Sequence, residues 1–136
     1  MREYLIAAIG TVGAAIISSL GGWDLALQTL VMFMAIDYVT GLVVAGVFKK
    51  SKKSASGGLD SSLGFKGIIK KSVMLMVVFI GYQLDNFIGA DFARYAVIIA
   101  FLVNESISII ENVGLMGIPI PNAIKKAITI LSEKGE

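Results

Sequence analysis

The sequence contains no cysteine and no histidine among its 136 residues. These absences exclude disulfides, thiol nucleophiles, Cys/His zinc sites and imidazole acid–base chemistry. The glycine-rich stretch SASGGLDSSLGFKG follows no predicted strand and lacks the G-K-[S/T] ending of a phosphate-binding loop. We therefore predict that the protein is not an enzyme and expect neither a cofactor nor a metal.

Charged residues are also scarce, at 16% of the chain, whereas about a quarter of residues are charged in ordinary soluble domains. Hydrophobic residues make up 56%, and the mean hydropathy is +0.81. A soluble domain of this size and composition would aggregate. The composition therefore predicts an integral membrane protein built from α-helices.

Four apolar segments are long enough to cross a bilayer, which requires roughly 17–25 residues. They form one membrane domain over residues 1–136 and lie at about 4–20, 25–48, 68–88 and 92–113. The first is the shortest. It either spans, giving four transmembrane helices, or lies on the membrane surface, giving three; its layout also resembles a signal peptide, but its basic region is thin.

Lysine placement predicts the orientation. A Ser/Gly/Lys-rich loop over 49–67 separates the second and third segments, and seven lysines expected to set topology and contact lipid lie in or beside it: Lys49, Lys50, Lys52, Lys53, Lys66, Lys70 and Lys71. With four spans, 11 of the 12 basic residues share one side with both termini, and only Arg94 is opposite. The positive-inside rule makes that side cytoplasmic. We attribute the lysine cluster to topology and anionic lipid, and expect no nucleic acid partner.

The C-terminal segment, about residues 122–132, has apolar residues at helical spacing and charged residues elsewhere. This pattern predicts an amphipathic helix resting in the cytoplasmic interface. A frayed, solvated tail is the alternative.

Glu105 interrupts the fourth apolar segment. On insertion scales a central charge costs roughly 2.5–3.5 kcal/mol, whereas each Ile, Leu, Phe or Val returns about 0.3–0.6. The nine such residues between Val97 and Ile110 return about 4 kcal/mol in total, and Glu105 with Asn104 consumes most of it. This helix therefore needs protein partners, a water-lined face or a protonated Glu105.

Other polar residues suggest a shared face. Asn104, Ser108, Glu111 and Asn112 recur at helical spacing, with Glu105 one step round. In the second segment, Asp37 begins a ridge that continues through the small residues Gly41 and Ala45. We predict that these eight residues form a face for pore formation or oligomerisation.

Two alternatives to that face remain open. The buried acids could pair with lysine or backbone donors inside a monomeric bundle. They could also couple proton or cation movement, as in a small four-helix ion or drug transporter. A membrane scaffold or assembly factor is a third class of function, which would require a stable protein partner instead of leak or transport.

Three sequence elements occur in order: DYVTG at 37–41, S-x-x-G-x-x-G-x-x-K-K at 61–71, and NESISIIEN at 104–112 followed by GIPIP. Together, over about residues 31–131, they resemble the phage holin family associated with lysis and toxin secretion in Gram-positive bacteria. The first apolar segment is the least constrained part of the match.

The resemblance implies a protein that homo-oligomerises in the bacterial cytoplasmic membrane and opens lesions abruptly. Those lesions would release a peptidoglycan-degrading endolysin, or in some settings a large toxin, without direct contact with it. The expected partners are other copies, membrane lipids and, where one exists, an antiholin.

Overall fold

The computed structural model describes residues 1–135, which form five α-helices and contain no strand. The helices are α1 (Arg2–Ser19), α2 (Leu25–Val43), α3 (Ser61–Ile88), α4 (Ala93–Leu115) and α5 (Asn122–Lys134). A short π-helical segment, Val44–Phe48, continues α2 and ends at Lys49, whose φ of 54° is left-handed. The all-helical class that we predicted is confirmed.

Helices α2, α3 and α4 pack together around one core. The buried apolar side chains on α2 are Leu27, Leu30 and Met34, and they meet Met74 and Val78 of α3 and Ile98 and Leu102 of α4. On each helix these residues recur at three- or four-residue spacing, so each helix turns one stripe towards the other two.

Two of the helices are long and apolar enough to cross a membrane: Leu25–Phe48, with a mean hydropathy of 2.1, and Ala93–Leu115, with 1.6. Their bounds agree with the second and fourth predicted segments, the fourth being two residues longer at its C-terminal end. Four transmembrane helices remain a prediction.

Helix α3 begins seven residues before the predicted third span, so the loop covers residues 49–60 instead of 49–67. The cause is local, because Asp60 precedes the helix in an extended conformation and its carboxylate accepts the Leu63 N–H at 2.6 Å. The prediction followed hydropathy, which rises after Lys66, whereas the helix starts at its cap.

The two terminal helices pack differently. Helix α1 has no buried residue, and a Cβ added at Gly10 or Gly13 would meet nothing within 4 Å. Helix α5 packs against α4: Leu131 contacts the core, and a Cβ on Gly135 would lie close to Ile99. It therefore runs back along α4, and its predicted position in the membrane interface stays a prediction.

Candidate functional site

An ammonium group lies between two carboxylates where α2, α3 and α4 meet. Lys71 Nζ on α3 donates to Asp37 Oδ2 on α2 and to Glu105 Oε2 on α4, at 2.8 Å in each case. Asp37 is 6% exposed and Glu105 only 1%, so both acids are withdrawn from the surroundings of the chain. This triad joins three helices through side chains alone.

Two further residues of α4 complete the hydrogen bonding of Asp37. Ser108 Oγ donates to Asp37 Oδ1 at 2.6 Å, and Asn112 Nδ2 lies 3.1 Å from the same oxygen. The Asn112 amide also contacts the Asp37 backbone carbonyl at 3.2 Å and Thr40 Oγ1 at 2.9 Å. We call these five residues the Lys71 site: Asp37, Lys71, Glu105, Ser108 and Asn112.

The Lys71 site is placed by the same helical spacing that builds the apolar core. Asp37 follows Met34 on the inward stripe of α2, and Glu105 follows Leu102 on that of α4. Lys71 precedes Met74 on α3. The core therefore changes from apolar to ionic near mid-length of all three helices, without a break in helix packing.

Glycines let α2 and α3 approach at this point. A Cβ at Gly67 would lie 3.1 Å from the ring of Tyr38, and one at Gly64 would lie 3.2 Å from its hydroxyl oxygen. The Tyr38 hydroxyl donates to the Gly64 carbonyl at 3.2 Å. A larger residue at Gly64 or Gly67 would have to push this ring away, so the pair of glycines supports the reach of Lys71 to Asp37.

A second polar cluster ties the turns at the opposite end of the bundle. The Arg94 guanidinium binds both oxygens of Asp24, at 2.7 and 3.0 Å, and donates to the carbonyls of Leu20 and Gly22. Asp85 accepts the backbone N–H groups of Phe92, Ala93 and Arg94, which lie at the start of α4. We call Asp24, Asp85 and Arg94 the Arg94 clamp.

The Arg94 clamp affects the titration of Asp24, which lies in the turn before α2. Hydrogen bonds from Arg94 hold the pKa of the Asp24 carboxyl below its ordinary value, and partial burial opposes them. In residues 1–135, no buried side-chain nitrogen or oxygen lacks a hydrogen-bond partner, and no cluster of acids suited to a metal ion occurs. The polar groups of both clusters are therefore used by the protein itself.

The structure divides the eight residues of the predicted pore or oligomer face. Asp37, Glu105, Ser108 and Asn112 come together, and Gly41 and Ala45 lie on the same side of α2, with Gly41 next to Asn112. Asn104 and Glu111 are instead exposed and take no part in the Lys71 site. The polar residues of α4 that face the other helices are thus 105, 108 and 112, all of them members of the predicted face, whereas 104 and 111 are left out.

The seven lysines that were predicted to set the topology and contact lipid also fall into two groups. Six of them are exposed: Lys49, Lys50, Lys52, Lys53, Lys66 and Lys70. Lys71 does not fit the expected contact with lipid, because its side chain is only 16% exposed and its ammonium lies between the two acids. Within the described chain, both acids therefore pair with a lysine of the same helix bundle.

Sequence reasoning did not find the partners of the acids. Lys71, Met74, Val78, Gly81 and Asp85 recur at helical spacing, and this pattern could have assigned Lys71 to the inward face of α3. Nothing in the spacing of Thr40 or Arg94 pointed to their contacts, which depend on how turns and helices meet over about 70 residues of sequence separation.

Comparison with known proteins identifies the family of this chain. The profile of the bacteriophage holin family matches residues 14–133. The chain belongs to the bacteriophage holin family. A probable holin of Bacillus phage phi105 is 23% identical over 111 residues, covering 81% of this chain and 76% of the phage protein.

Other relatives are more similar in sequence. An uncharacterised protein of Listeria monocytogenes is 40% identical over 115 residues, covering 84% of this chain and 76% of its own. An uncharacterised 14.9 kDa protein of Clostridium perfringens is 33% identical over 134 residues, covering 97% and 96%. No solved structure matches the chain significantly.

Holin family membership agrees with the apolar helices in indicating a membrane protein associated with phage lysis. It also implies homo-oligomerisation in the membrane, and the family is not an enzyme family. The three sequence elements that carried the resemblance meet in space, since Asp37, Lys71 and Glu105 each come from a different one.

Proposed function

We propose that this protein is a holin that homo-oligomerises in the bacterial cytoplasmic membrane and opens lesions through which an endolysin or a large toxin leaves the cell. In this proposal α1 to α4 all span the membrane, and both termini and the basic loop face the cytoplasm, which requires α5 to leave the side of α4 against which it packs in the described structure. The observation that supports it is the Lys71 site, whose polar groups bind one another within one chain. Its residues come from all three sequence elements that resemble the holin family.

The chemistry of the site supports two states. In the described packing its carboxylates, ammonium, hydroxyl and amide bind one another, so lipid does not have to satisfy them. If the helices separate, hydrocarbon cannot satisfy these groups, whereas water or polar groups from other copies can. Opening is therefore favoured only where enough copies meet, which would explain accumulation followed by abrupt lysis.

Inducible expression in a bacterium tests the proposal, with potassium efflux and culture density followed in the presence and absence of a cytoplasmic endolysin. We expect a delay, then abrupt efflux, with clearing only when endolysin is present. Normal growth at high membrane copy number would contradict the holin proposal and favour the transporter alternative.

Two substitutions at Glu105 refine the test. Glu105→Gln keeps a polar side chain of the same size, so we expect the fold to persist and the time of lysis to change. Glu105→Leu removes the polar group, so the helix is better satisfied by lipid and lesions should be fewer. If both variants lysed cells on the parental schedule, the Lys71 site would have no part in triggering.

A further inference from the structure

A cavity of about 440 Å³ lies at one end of the bundle. At this end, α4 and the π-helical continuation of α2 finish, and α3 begins. Its size falls within the range of roughly 300–1,000 Å³ that is common for small-molecule sites. The loop over residues 49–60 contributes one wall, and the Lys71 site lies at its inner side.

The lining of this cavity is rich in cations. Five lysines contribute to it: Lys52, Lys53, Lys66, Lys70 and Lys71. Three carboxylates also line it, from Asp37, Asp60 and Glu111, which leaves a formal surplus of positive charge.

Several of these charges are already engaged. Lys71 is held by Asp37 and Glu105, Lys52 lies 3.8 Å from Glu111, and Asp60 caps α3. Within residues 1–135, Lys53, Lys66 and Lys70 form no ion pair. These three ammonium groups are therefore available to an anion.

The remaining lining is mixed, with the apolar side chains of Leu42, Val44, Leu63 and Leu115 beside the hydroxyls of Ser51, Ser54 and Ser62. A free inorganic anion gains nothing from the apolar part, whereas a phosphate ester attached to glycerol and acyl chains can bind lysine and apolar surface together. We infer that this cavity binds the phosphate headgroup of an anionic phospholipid. The assignment of this lipid to the cytoplasmic leaflet rests on the proposed topology, which places these lysines at the cytoplasmic face.

The experiment uses the purified full-length protein reconstituted in nanodiscs of phosphatidylcholine with phosphatidylglycerol. Native mass spectrometry then counts the lipids that stay bound after the protein has been ejected from the nanodisc. Lys66→Gln/Lys70→Gln removes two of the available cations without touching the Lys71 site. Lys125→Gln/Lys126→Gln on α5 is the matched control, because it removes the same charge from exposed positions outside the cavity.

We expect the unmodified protein to retain phosphatidylglycerol over phosphatidylcholine, and Lys66→Gln/Lys70→Gln to reduce that preference about tenfold. The Lys125→Gln/Lys126→Gln control should stay within about twofold of the unmodified protein, because its lysines lie outside the cavity. Lys66→Arg/Lys70→Arg should retain the preference. This result would show that the Gln variant loses the preference because it lacks the charge and not because it misfolds.

Three results would overturn the inference: no preference in the unmodified protein, an equal loss in the α5 control, or displacement of the lipid by millimolar inorganic phosphate. The last would assign the cavity to a soluble phosphate compound. A protein that lyses cells but shows no lipid preference would refute this inference and leave the proposed holin function standing.

Discussion

The Lys71 site and the Arg94 clamp both join distant parts of the chain with charged side chains, but they differ in what surrounds them. The Lys71 site has two carboxylates for one ammonium and is buried near mid-length of α2, α3 and α4. The Arg94 clamp pairs Arg94 with Asp24, which is half exposed, and binds backbone groups of two turns. Water can replace the contacts of the Arg94 clamp more easily than those of the Lys71 site.

This difference assigns the two clusters different roles. Separation of the helices at the Lys71 site exposes three charges to whatever lies between them, so the packing there depends strongly on the surroundings. Loss of the Arg94 clamp frees a turn that water can solvate. We therefore expect substitutions in the Lys71 site to change both stability and lysis, and substitution of the half-exposed Asp24 in the Arg94 clamp to have a small effect.

The largest effect is expected for Lys71→Met. Removing the ammonium leaves two neighbouring carboxylates buried without a counter-ion, and breaking a buried pair in this way costs roughly 3–5 kcal/mol. We expect a large fall in the thermal midpoint of the detergent-solubilised protein and earlier or unregulated leak in cells. Lys70→Met is the control, because Lys70 is exposed and should change the midpoint little. Equal midpoints for the two variants would contradict the central place of Lys71.

An intermediate effect is expected for Asn112→Leu. The amide bridges Asp37 and Thr40, so its loss leaves buried acceptors with fewer donors at about 1–3 kcal/mol. Thermal unfolding should place this variant between the unmodified protein and Lys71→Met. Asn104→Leu is the matched control, because Asn104 lies on the exposed side of the same helix. A larger loss for Asn104→Leu would mean that Asn104, and not Asn112, faces the neighbouring helices.

The smallest effect is expected for Asp24→Asn, which removes the charge but keeps a side chain that can cap α2. An exposed ion pair contributes at most about 1 kcal/mol. Because the pKa of Asp24 is lowered in the folded protein, its contribution is present above its unfolded pKa of about 3.9 and lost as pH falls through the folded value.

Unfolding midpoints of Asp24→Asn and the unmodified protein should therefore differ slightly at pH 7 and converge as the pH falls below the lowered, folded-state pKa of Asp24. A difference that grew towards low pH would show that Asp24 acts through something other than its charge.

The positions of most helices could be predicted from hydropathy, because an apolar run long enough to cross a membrane has few structures open to it other than a helix. The segment over 25–48 agrees with α2 and its π-helical continuation, whereas the start of α3 was missed because a capping residue, Asp60, sets it before the apolar run. Glu105 and Asp37 were recognised as costly in a membrane without knowledge of their partner.

The partner itself could not be predicted from local pattern. Lys71 follows another lysine at the edge of an apolar run, where the positive-inside rule gives a sufficient reason for both. Only the packing of α3 against α2 and α4 turns one of them inward and leaves Lys70 exposed. The same packing selects Glu105 over Asn104, since neighbouring residues on a helix face directions about 100° apart.

The central claim is that the Lys71 site is closed at rest and faces water in the lesion. Because the chain has no native cysteine, a Ser108→Cys variant can be labelled in cells by a membrane-impermeant maleimide, with Ile107→Cys, exposed on the outer side of α4, as control. We predict that position 108 is protected before triggering and becomes labelled when potassium efflux begins, while position 107 stays unlabelled. Efflux with position 108 still protected would contradict the claim.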